Sequence, residues 1–431
     1  MLLILAGVSI SLIIDNNGII KKSKDARREY RQAQANEQAD LDNASDWIDE
    51  ATAEPTPKVN VNEKATDNST INGKKGNSNN PTIPEGYIPI NTDTSEWGDG
   101  TSAPTQNDIE HGLVIRDNSN NEWVWIPVPD VNVMCDTVNT TEYTLCGIEN
   151  ITTKLYTRPI KMEWDSSSQN PYEAEEFQAA PRGVPGNDNS YREPDLVVDD
   201  DGASYDAKEE YYKTILGFDS KEKMAEAFVA DYSEMLESIR KYGGFYIGRY
   251  ELSEAGVQKN QPTLTYTNWY NLYAKCKSLN ASKKVETRMI WGCQWDVTCN
   301  FIANKGDKKD IADSNSWGNY YSTSVKADDG TTEIKARETE LALNTGVTTF
   351  TMANNIYDLA GNCWEWTQEA NNDSKRVGRG GNYGHLCNSS EGSVLSRGTV
   401  FPDSFPDSSS NSILRYTSYF NNKVGWTLES G

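Results

Sequence analysis

The stretch that decides the fold is Asn355-Ile356-Tyr357-Asp358-Leu359-Ala360-Gly361-Asn362-Cys363-Trp364-Glu365-Trp366. Trp364 and Trp366 alternate with Glu365, which predicts a strand with one buried aromatic face and one polar face. Asp358 and Glu365 bracket the Gly-Asn turn, and calcium is bound by carboxylates together with backbone carbonyls. Two interpretations of these residues stay open: a calcium site, and an ordinary turn that Asp358 caps.

The same stretch resembles the Gly-Asn-x-Trp-Glu-Trp signature of the formylglycine-generating enzyme family, whose domain is a variant of the C-type-lectin fold. The resemblance implies an irregular, loop-rich α+β domain with a structural calcium ion at the turn. Asp358 and Glu365 would then bind calcium through their side chains, and Gly361 and Cys363 would bind it through their backbone carbonyls.

Further motifs of that family follow in order along the chain. An aromatic hairpin is predicted over residues 112–128, and residues 243–251 match the second strand of the family. Residues 286–296 resemble its Arg-Leu-Pro segment, with Arg288, Trp295 and Asp296 in register. Arg379-Gly380-Gly381 matches a later strand, and residues 421–428, which include Trp426, resemble the closing strand. A second register, which places Arg415 on the arginine of that last strand, stays open.

We therefore expect one large domain over residues 106–431, with an insertion over residues 150–240. Within the insertion, Met224, Phe228, Met235 and Ile239 recur at helical spacing and predict a helix from about residue 220 to 241. A second helix is predicted over residues 267–279, with Asn268 near its cap.

Residues 1–51 and 52–105 differ in composition from this domain. The apolar run over residues 2–14 is shorter than the roughly 20 residues that span a bilayer. With the charged helix that follows, it resembles the N-terminal helix of type IV pilins, although the leader and the first half of the apolar stem are missing. A short buried helix is the alternative that stays open for this run. Residues 52–105 are rich in Thr, Asn, Pro, Lys and Ser, so we expect a disordered linker there.

The net charge disfavours nucleic acid as a partner, and the cysteine spacing argues against a zinc site. The formal charge is −23, which disfavours binding to nucleic acid because phosphate contacts require clustered Lys and Arg. The chain has seven cysteines without a Cys-x-x-Cys pair, which argues against a zinc site. Cys135 and Cys146 lie close enough in the sequence to close a loop.

Oxidation chemistry of the family requires paired thiols or clustered histidines. Copper-dependent members use two cysteines after the Arg-x-Gly-Gly strand, and this chain has only Cys387 there. The chain has two histidines, His111 and His385, whereas a non-haem iron site takes three clustered ligands. Catalysis is therefore not supported by the residues present.

The polar and aromatic C-terminal region is typical of a recognition surface, because such side chains adapt their hydrogen bonds on a rigid scaffold. It is similar in composition to the diversified face of variable proteins from diversity-generating retroelements. The candidate ligand-binding residues are Asn382, Tyr383, His385, Asn388, Arg397, Phe401, Arg415, Tyr416, Tyr419 and Trp426.

The sequence thus predicts a bacterial cell-surface protein, anchored in a membrane or pilus through its N-terminal helix. Its domain would bind an extracellular protein or glycan without catalysis. Two alternatives stay open: an active formylglycine-generating or related metal-dependent oxidase, and a minor pilus subunit whose domain is structural.

Overall fold

A seven-stranded antiparallel sheet lies at the centre of the computed structural model. In the described part of the chain, the strands are β1 (Ser69–Thr70), β2 (Thr82–Ile83), β3 (Ile88–Ile90), β4 (Val114–Arg116), β5 (Glu122–Pro127), β6 (Cys135–Leu145), β7 (Ile148–Arg158), β8 (Lys161–Glu163), β9 (Glu173–Glu175), β10 (Ala180–Pro181), β11 (Gly244–Gly248), β12 (Ala281–Ser282), β13 (Val285–Met289), β14 (Val325–Lys326), β15 (Glu333–Lys335), β16 (Met352–Ala353), β17 (Ile356–Tyr357), β18 (Trp364–Asn372), β19 (Lys375–Arg379), β20 (Arg397–Val400), β21 (Phe420–Asn421) and β22 (Val424–Leu428). The central sheet has the order β12-β13-β22-β11-β5-β4-β3.

The structure describes residues 56–92, 104–131, 135–145, 148–158, 161–163, 173–175, 180–181, 210–279, 281–282, 285–311, 313–372, 375–384, 386, 394, 397–400, 420–421 and 424–428. All of them belong to one unit, Thr56–Gly431. The expected pilin-like helix over residues 1–51 lies outside the described residues. No helix within these ranges is long and apolar enough to cross a bilayer.

Both faces of the central sheet are buried, and alternate residues face different cores. In β5, Trp123 and Trp125 belong to one apolar cluster, whereas Val124 and Ile126 belong to the other. This follows from the two-residue period of a strand. Gly244 lets β11 lie close to β5, since a Cβ atom on it would stand 2.4 Å from the carbonyl oxygen of Ile126.

The helices are α1 (Gln106–Glu110), α2 (Lys221–Tyr242), α3 (Trp269–Ser278) and α4 (Gly292–Asn304), together with short π and 3₁₀ turns. Helix α2 confirms the predicted periodicity. Its side chains Met224 and Phe228 join one core, and Met235 and Ile239 join the other. The last part of the expected insertion is therefore core structure, because the apolar stripe of α2 packs against both sides of the fold.

Caps define the ends of the predicted helices. The Ser220 hydroxyl accepts a hydrogen bond from the Lys223 N–H, and α2 ends at Gly243 with φ 77°. Helix α3 begins after Asn268, whose side chain accepts from the Asn271 N–H, as its sequence predicted. The buried Arg376 guanidinium of β19 lies 4.3 Å from the centre of the Trp269 ring and packs that strand on α3.

The expected disordered linker is folded over its described residues 56–92. Val59, Ile83 and Tyr87 are core residues, and β3 is the edge strand of the central sheet. The prediction failed here because composition does not reveal docking partners. The backbone carbonyls of Ser78 and Thr82 accept hydrogen bonds from the Trp125 indole and the Tyr246 hydroxyl.

A second, four-stranded sheet has the order β20-β19-β18-β21 and continues the decisive stretch. Strands β18 and β19 form a hairpin after the turn, and β21 pairs with β18 in parallel. The closing strand is confirmed as β22, which lies between β13 and β11. The described residues therefore form a loop-rich α+β fold with one large sheet and several small ones.

Candidate functional site

The turn between β17 and β18 is built from left-handed backbone positions. Asp358, Gly361 and Asn362 have φ values of 57°, 76° and 59°. Asp and Asn tolerate this region better than other non-glycine residues. Position 361 requires glycine for a second reason, since a Cβ atom there would lie 2.4 Å from the carbonyl oxygen of Asn319.

Asn362 connects this turn to two neighbouring segments. Its Oδ1 accepts from the Asn319 side chain at 2.9 Å and from the Leu343 N–H at 2.9 Å. Its Nδ2 donates to Glu251 Oε2 at 2.5 Å and to the Leu343 carbonyl at 3.1 Å. Its own carbonyl accepts from the Tyr383 N–H at 3.0 Å. The asparagine is fully buried, so these bonds form without competition from water.

Glu251 is a functional-site residue that the sequence did not single out. It follows β11, is fully buried, and accepts hydrogen bonds from Thr263 Oγ1 at 2.6 Å and from the Cys363 N–H at 3.2 Å, in addition to Asn362. Its only sequence signal was its place at the end of the predicted strand 243–251. The contacts themselves are long-range, and a single sequence does not reveal them.

Residues 341–347 form an extended segment across the turn, here named the strap. Asp358 is buried, and its Oδ2 accepts from the strap hydroxyl of Thr345 at 2.9 Å and from the Gly346 N–H at 2.8 Å. The Thr345 hydroxyl also accepts from the Glu251 N–H at 2.9 Å. One side of the decisive turn is therefore covered by chain and not by solvent.

Glu365 differs from the sequence prediction of a polar, outward-facing residue, because it is as buried as the tryptophans beside it. It lies directly opposite Arg379 in the β18–β19 ladder. Arg379 Nη1 donates to Asp296 Oδ1 at 3.2 Å, and all three side chains are inaccessible to solvent. The buried arginine thus lies between two acidic residues from separate sequence motifs.

The cysteines whose side chains the structure describes are Cys276, Cys293, Cys299 and Cys363, and these four are buried free thiols. Burial raises the pKa of the Cys363 thiol well above its usual value, and the charges of Glu251, Glu365 and Asp358 raise it further. Since the thiolate is the form that binds metals and attacks substrates, Cys363 is poorly suited to either role. Cys146 and Cys387 lie outside the described residues.

The carboxylates of the turn provide the donor type that calcium requires. Asp358, Glu365 and Glu251 all raise the pKa of the same buried thiol, but among the described residues their oxygens do not form a group that lies within 4.8 Å of one another. Oxygen ligands of this kind, with the carbonyls of Gly361 and Cys363, fit a hard cation. The residues therefore fit calcium in chemistry, although Asp358 already accepts two hydrogen bonds from the strap.

A second cluster of acidic side chains has the spacing of a metal site, but its carboxylates are already paired with arginine and lysine side chains. Within the described ranges, Asp231, Glu234 and Glu286 place one carboxylate oxygen each within 4.8 Å of one another. Arg288 makes ion pairs with all three residues, and Lys277 pairs with Asp231 at 3.2 Å. This cluster is therefore an ion-pair network that ties β13 to α2.

The predicted ligand-binding residues are only partly within the described chain. Asn382 and Tyr383 lie buried beside the turn. Arg397 and Trp426 belong to β20 and β22. The remaining ones, His385, Asn388, Phe401, Arg415, Tyr416 and Tyr419, lie outside the described residues. His111 Nδ1 lies 2.9 Å from the Asn107 carbonyl, and the His111 carbonyl accepts at 2.9 Å from the side chain of Asn355, the first residue of the decisive stretch.

No family model matches the chain, and no curated protein matches it. Among solved structures, the chain is similar to Treponema denticola variable protein 1, with 13% identity and a TM-score of 0.25, over 66% of this chain and 98% of that one. A TM-score of 0.25 is below the level that indicates a shared fold.

Below the turn, the buried ammonium of Lys335 donates to the carbonyls of Tyr320 at 2.6 Å and Thr323 at 2.9 Å. Burial lowers the pKa of Lys335 to about 8, although the charge of Glu333 acts in the opposite direction. The lysine holds the loop that carries Asn319, one of the partners of Asn362.

This lowered pKa predicts a pH-dependent stability. Relative to a Lys335→Met variant, the free energy of unfolding of the wild type should rise as pH increases from about 8 to 10.5. Across that window the unfolded chain binds more protons than the folded one, so raising pH favours folding. The full change would approach about 3 kcal/mol.

Urea unfolding at a series of pH values measures this difference. Lys326→Met, which removes a partly exposed lysine of the neighbouring strand, controls for the loss of one positive charge. A wild-type minus Lys335→Met difference that stays constant from pH 8 to pH 10.5 would contradict the assignment.

Proposed function

We propose that the protein is a non-catalytic, surface-displayed ligand-binding protein with a formylglycine-generating-enzyme-like variant of the C-type-lectin fold. The recognition segment, residues 382–422, would carry the binding face. The observation that supports this most is its attachment to the scaffold. β20 pairs with β19, β21 pairs with β18, and β22 enters the central sheet directly afterwards. A long polar segment attached in this way can vary while the scaffold stays rigid.

The fold part of the proposal rests on the way the family-like motifs meet. The Arg-Gly-Gly strand contacts the Trp295-Asp296 motif through the Arg379–Asp296 ion pair. The signature turn contacts the second-strand motif through Glu251. Motifs that are distant in sequence thus share one buried polar centre, as expected if they belong to a single domain type.

The non-catalytic part rests on the burial of the described thiols and on the raised pKa of Cys363. The oxidase alternative requires a reactive thiolate pair.

The N-terminal helix over residues 1–51 would anchor the domain at the cell surface.

Metal analysis and an oxidation assay on the full chain separate binding protein from oxidase. We expect no consumption of oxygen and no oxidation of a synthetic cysteine-containing peptide after loading with Cu(I). Copper that remains bound through gel filtration, together with oxygen-dependent oxidation of the peptide, would overturn the binding proposal. Binding in a glycan array or a peptide-display selection is the corresponding positive result.

We also propose structural calcium at Asp358 and Glu365, with the backbone carbonyls of Gly361 and Cys363. Calcium that binds only the folded chain stabilises it, by about 2.7 kcal/mol at a concentration of 100 times Kd. The melting temperature of the wild type should therefore rise with calcium, and Asp358→Ala should lose that increment.

Asp358→Ala should also melt lower than wild type without calcium, because the strap loses two hydrogen bonds to this carboxylate. The diagnostic quantity is consequently the calcium-dependent increment. Asp329→Ala removes an exposed turn carboxylate that bonds Thr331 and Thr332, and it should keep the full increment. Equal increments in wild type and Asp358→Ala would reject the calcium site.

A further inference from the structure

Several side chains of the strap are exposed. Its backbone is nevertheless held in one position by hydrogen bonds to buried side chains. The Leu341 carbonyl accepts from the Asn319 side chain at 3.1 Å, and Leu343 exchanges two bonds with Asn362. Thr345 and Gly346 are bound to Asp358. An exposed segment that is held in this way presents its outward side chains with little loss of conformational entropy on binding.

Two of the exposed side chains of the strap, Leu341 and Val347, are large and apolar. Among the described residues, the large hydrophobic side chains that are exposed are Tyr266, Leu341, Val347 and Leu386. Leu341 and Val347 belong to the strap, and Leu386 belongs to the recognition segment. Asn362 joins these two segments, since it bonds Leu343 on one side and the Tyr383 N–H on the other.

The side-chain amide of Asn382 lies next to Tyr383, where Asn362 contacts the recognition segment. The Asn382 side chain is almost fully buried, and its Oδ1 accepts from the Gly384 N–H at 2.8 Å. That bond assigns the orientation of the amide, and the Nδ2 of Asn382 has no hydrogen-bond partner among the residues that the structure describes. Buried polar groups are nearly always bonded, so this amide is suited to a polar group that arrives with a ligand.

We propose that the strap is itself a binding surface, and that its ligand is a protein presenting an apolar side chain next to a positive charge. This inference rests on the proposed binding function and chooses between its two ligand classes. Aliphatic side chains bind by burying apolar area, which proteins offer, whereas sugars are bound mainly through hydrogen bonds and aromatic faces. The charge of −23 favours a basic partner through electrostatic complementarity.

The test uses the immobilised full chain with two defined probes: a phage-displayed library of random linear peptides and a glycan array. We expect selected peptides to combine apolar and basic residues. Leu341→Ser should weaken their binding about tenfold or more, because a buried leucine side chain contributes that much. Tyr266→Ser is the matched control, since it removes the exposed apolar residue that lies outside both segments.

Both serine variants should melt close to wild type, because the side chains are exposed. Peptides that bind wild type and Leu341→Ser equally would overturn the inference. Binding confined to glycans would overturn it as well, while leaving the proposed binding function intact. The absence of any binder in both selections would reject the two proposals together.

Discussion

Replacing Arg379 with methionine is expected to reduce the free energy of unfolding by about 3–5 kcal/mol. Arg379 is fully buried, donates to Asp296 at 3.2 Å and lies opposite Glu365 in the strand ladder. Removing one partner of a buried ion pair leaves a charge in a medium of low dielectric constant, which is far more costly than losing the attraction itself. Such a loss is a large part of the 5–15 kcal/mol that typically stabilises a domain.

Urea unfolding followed by tryptophan fluorescence measures the effect. Arg337→Met is the matched control, because Arg337 is exposed and such a change usually shifts stability by less than about 0.5 kcal/mol. Adding Asp296→Leu to Arg379→Met removes one of the two buried carboxylates and should recover part of the loss. If the double variant is less stable than the single one, the charge argument is contradicted and packing dominates at this position.

Elements with a strong local period were predictable from the sequence. Helix α2 follows the spacing of Met224, Phe228, Met235 and Ile239, and helix α3 follows its asparagine cap. The hairpin of β4 and β5 agrees with its aromatic alternation. In each case the residues that determine the element lie within that element, so no knowledge of distant partners is needed.

The parts that were not predictable depend on contacts between distant segments. Residues 56–92 have the composition of a linker, and they are ordered by docking on β4 and on the side chains of Trp125 and Tyr246. Glu365 fits a polar strand face in sequence, but it is buried and lies opposite Arg379, which is itself buried and paired with Asp296. Alternation identifies the two faces of a strand, whereas only the assembled fold determines what covers each face.

These buried charges also bear on function. A solvent-exposed acid pair beside a thiol would have favoured catalysis. Here Glu251, Asp358 and Glu365 raise the pKa of Cys363, and the donors around them hold loops together. The same groups hold the turn against the strap and against the start of the recognition segment, which is the arrangement that the proposed binding function requires.

Glu251 is the residue on which that base depends, and Glu251→Ala is expected to destabilise the protein by about 3–5 kcal/mol. Its carboxylate accepts from Thr263, from Asn362 and from the Cys363 N–H, which is 112 residues away in sequence. Each of these buried donors would lose an acceptor, and an unsatisfied buried donor costs about 1–3 kcal/mol. Relief of repulsion from Asp358 and Glu365 offsets only part of this sum.

Two further variants separate charge from shape at this position. Glu251→Gln retains the side-chain volume but directs an amide donor at another donor, so its loss should lie between that of Glu251→Ala and zero. Glu254→Ala is the control, because Glu254 is an exposed partner of Lys275, and exposed pairs contribute about 0–1 kcal/mol. Hydrogen exchange should accelerate in the strap and around residue 383 in Glu251→Ala, since Asn362 transmits the lost contact to both. Unchanged exchange in these two segments, with stability within about 1 kcal/mol of wild type, would show that the turn holds them without Glu251.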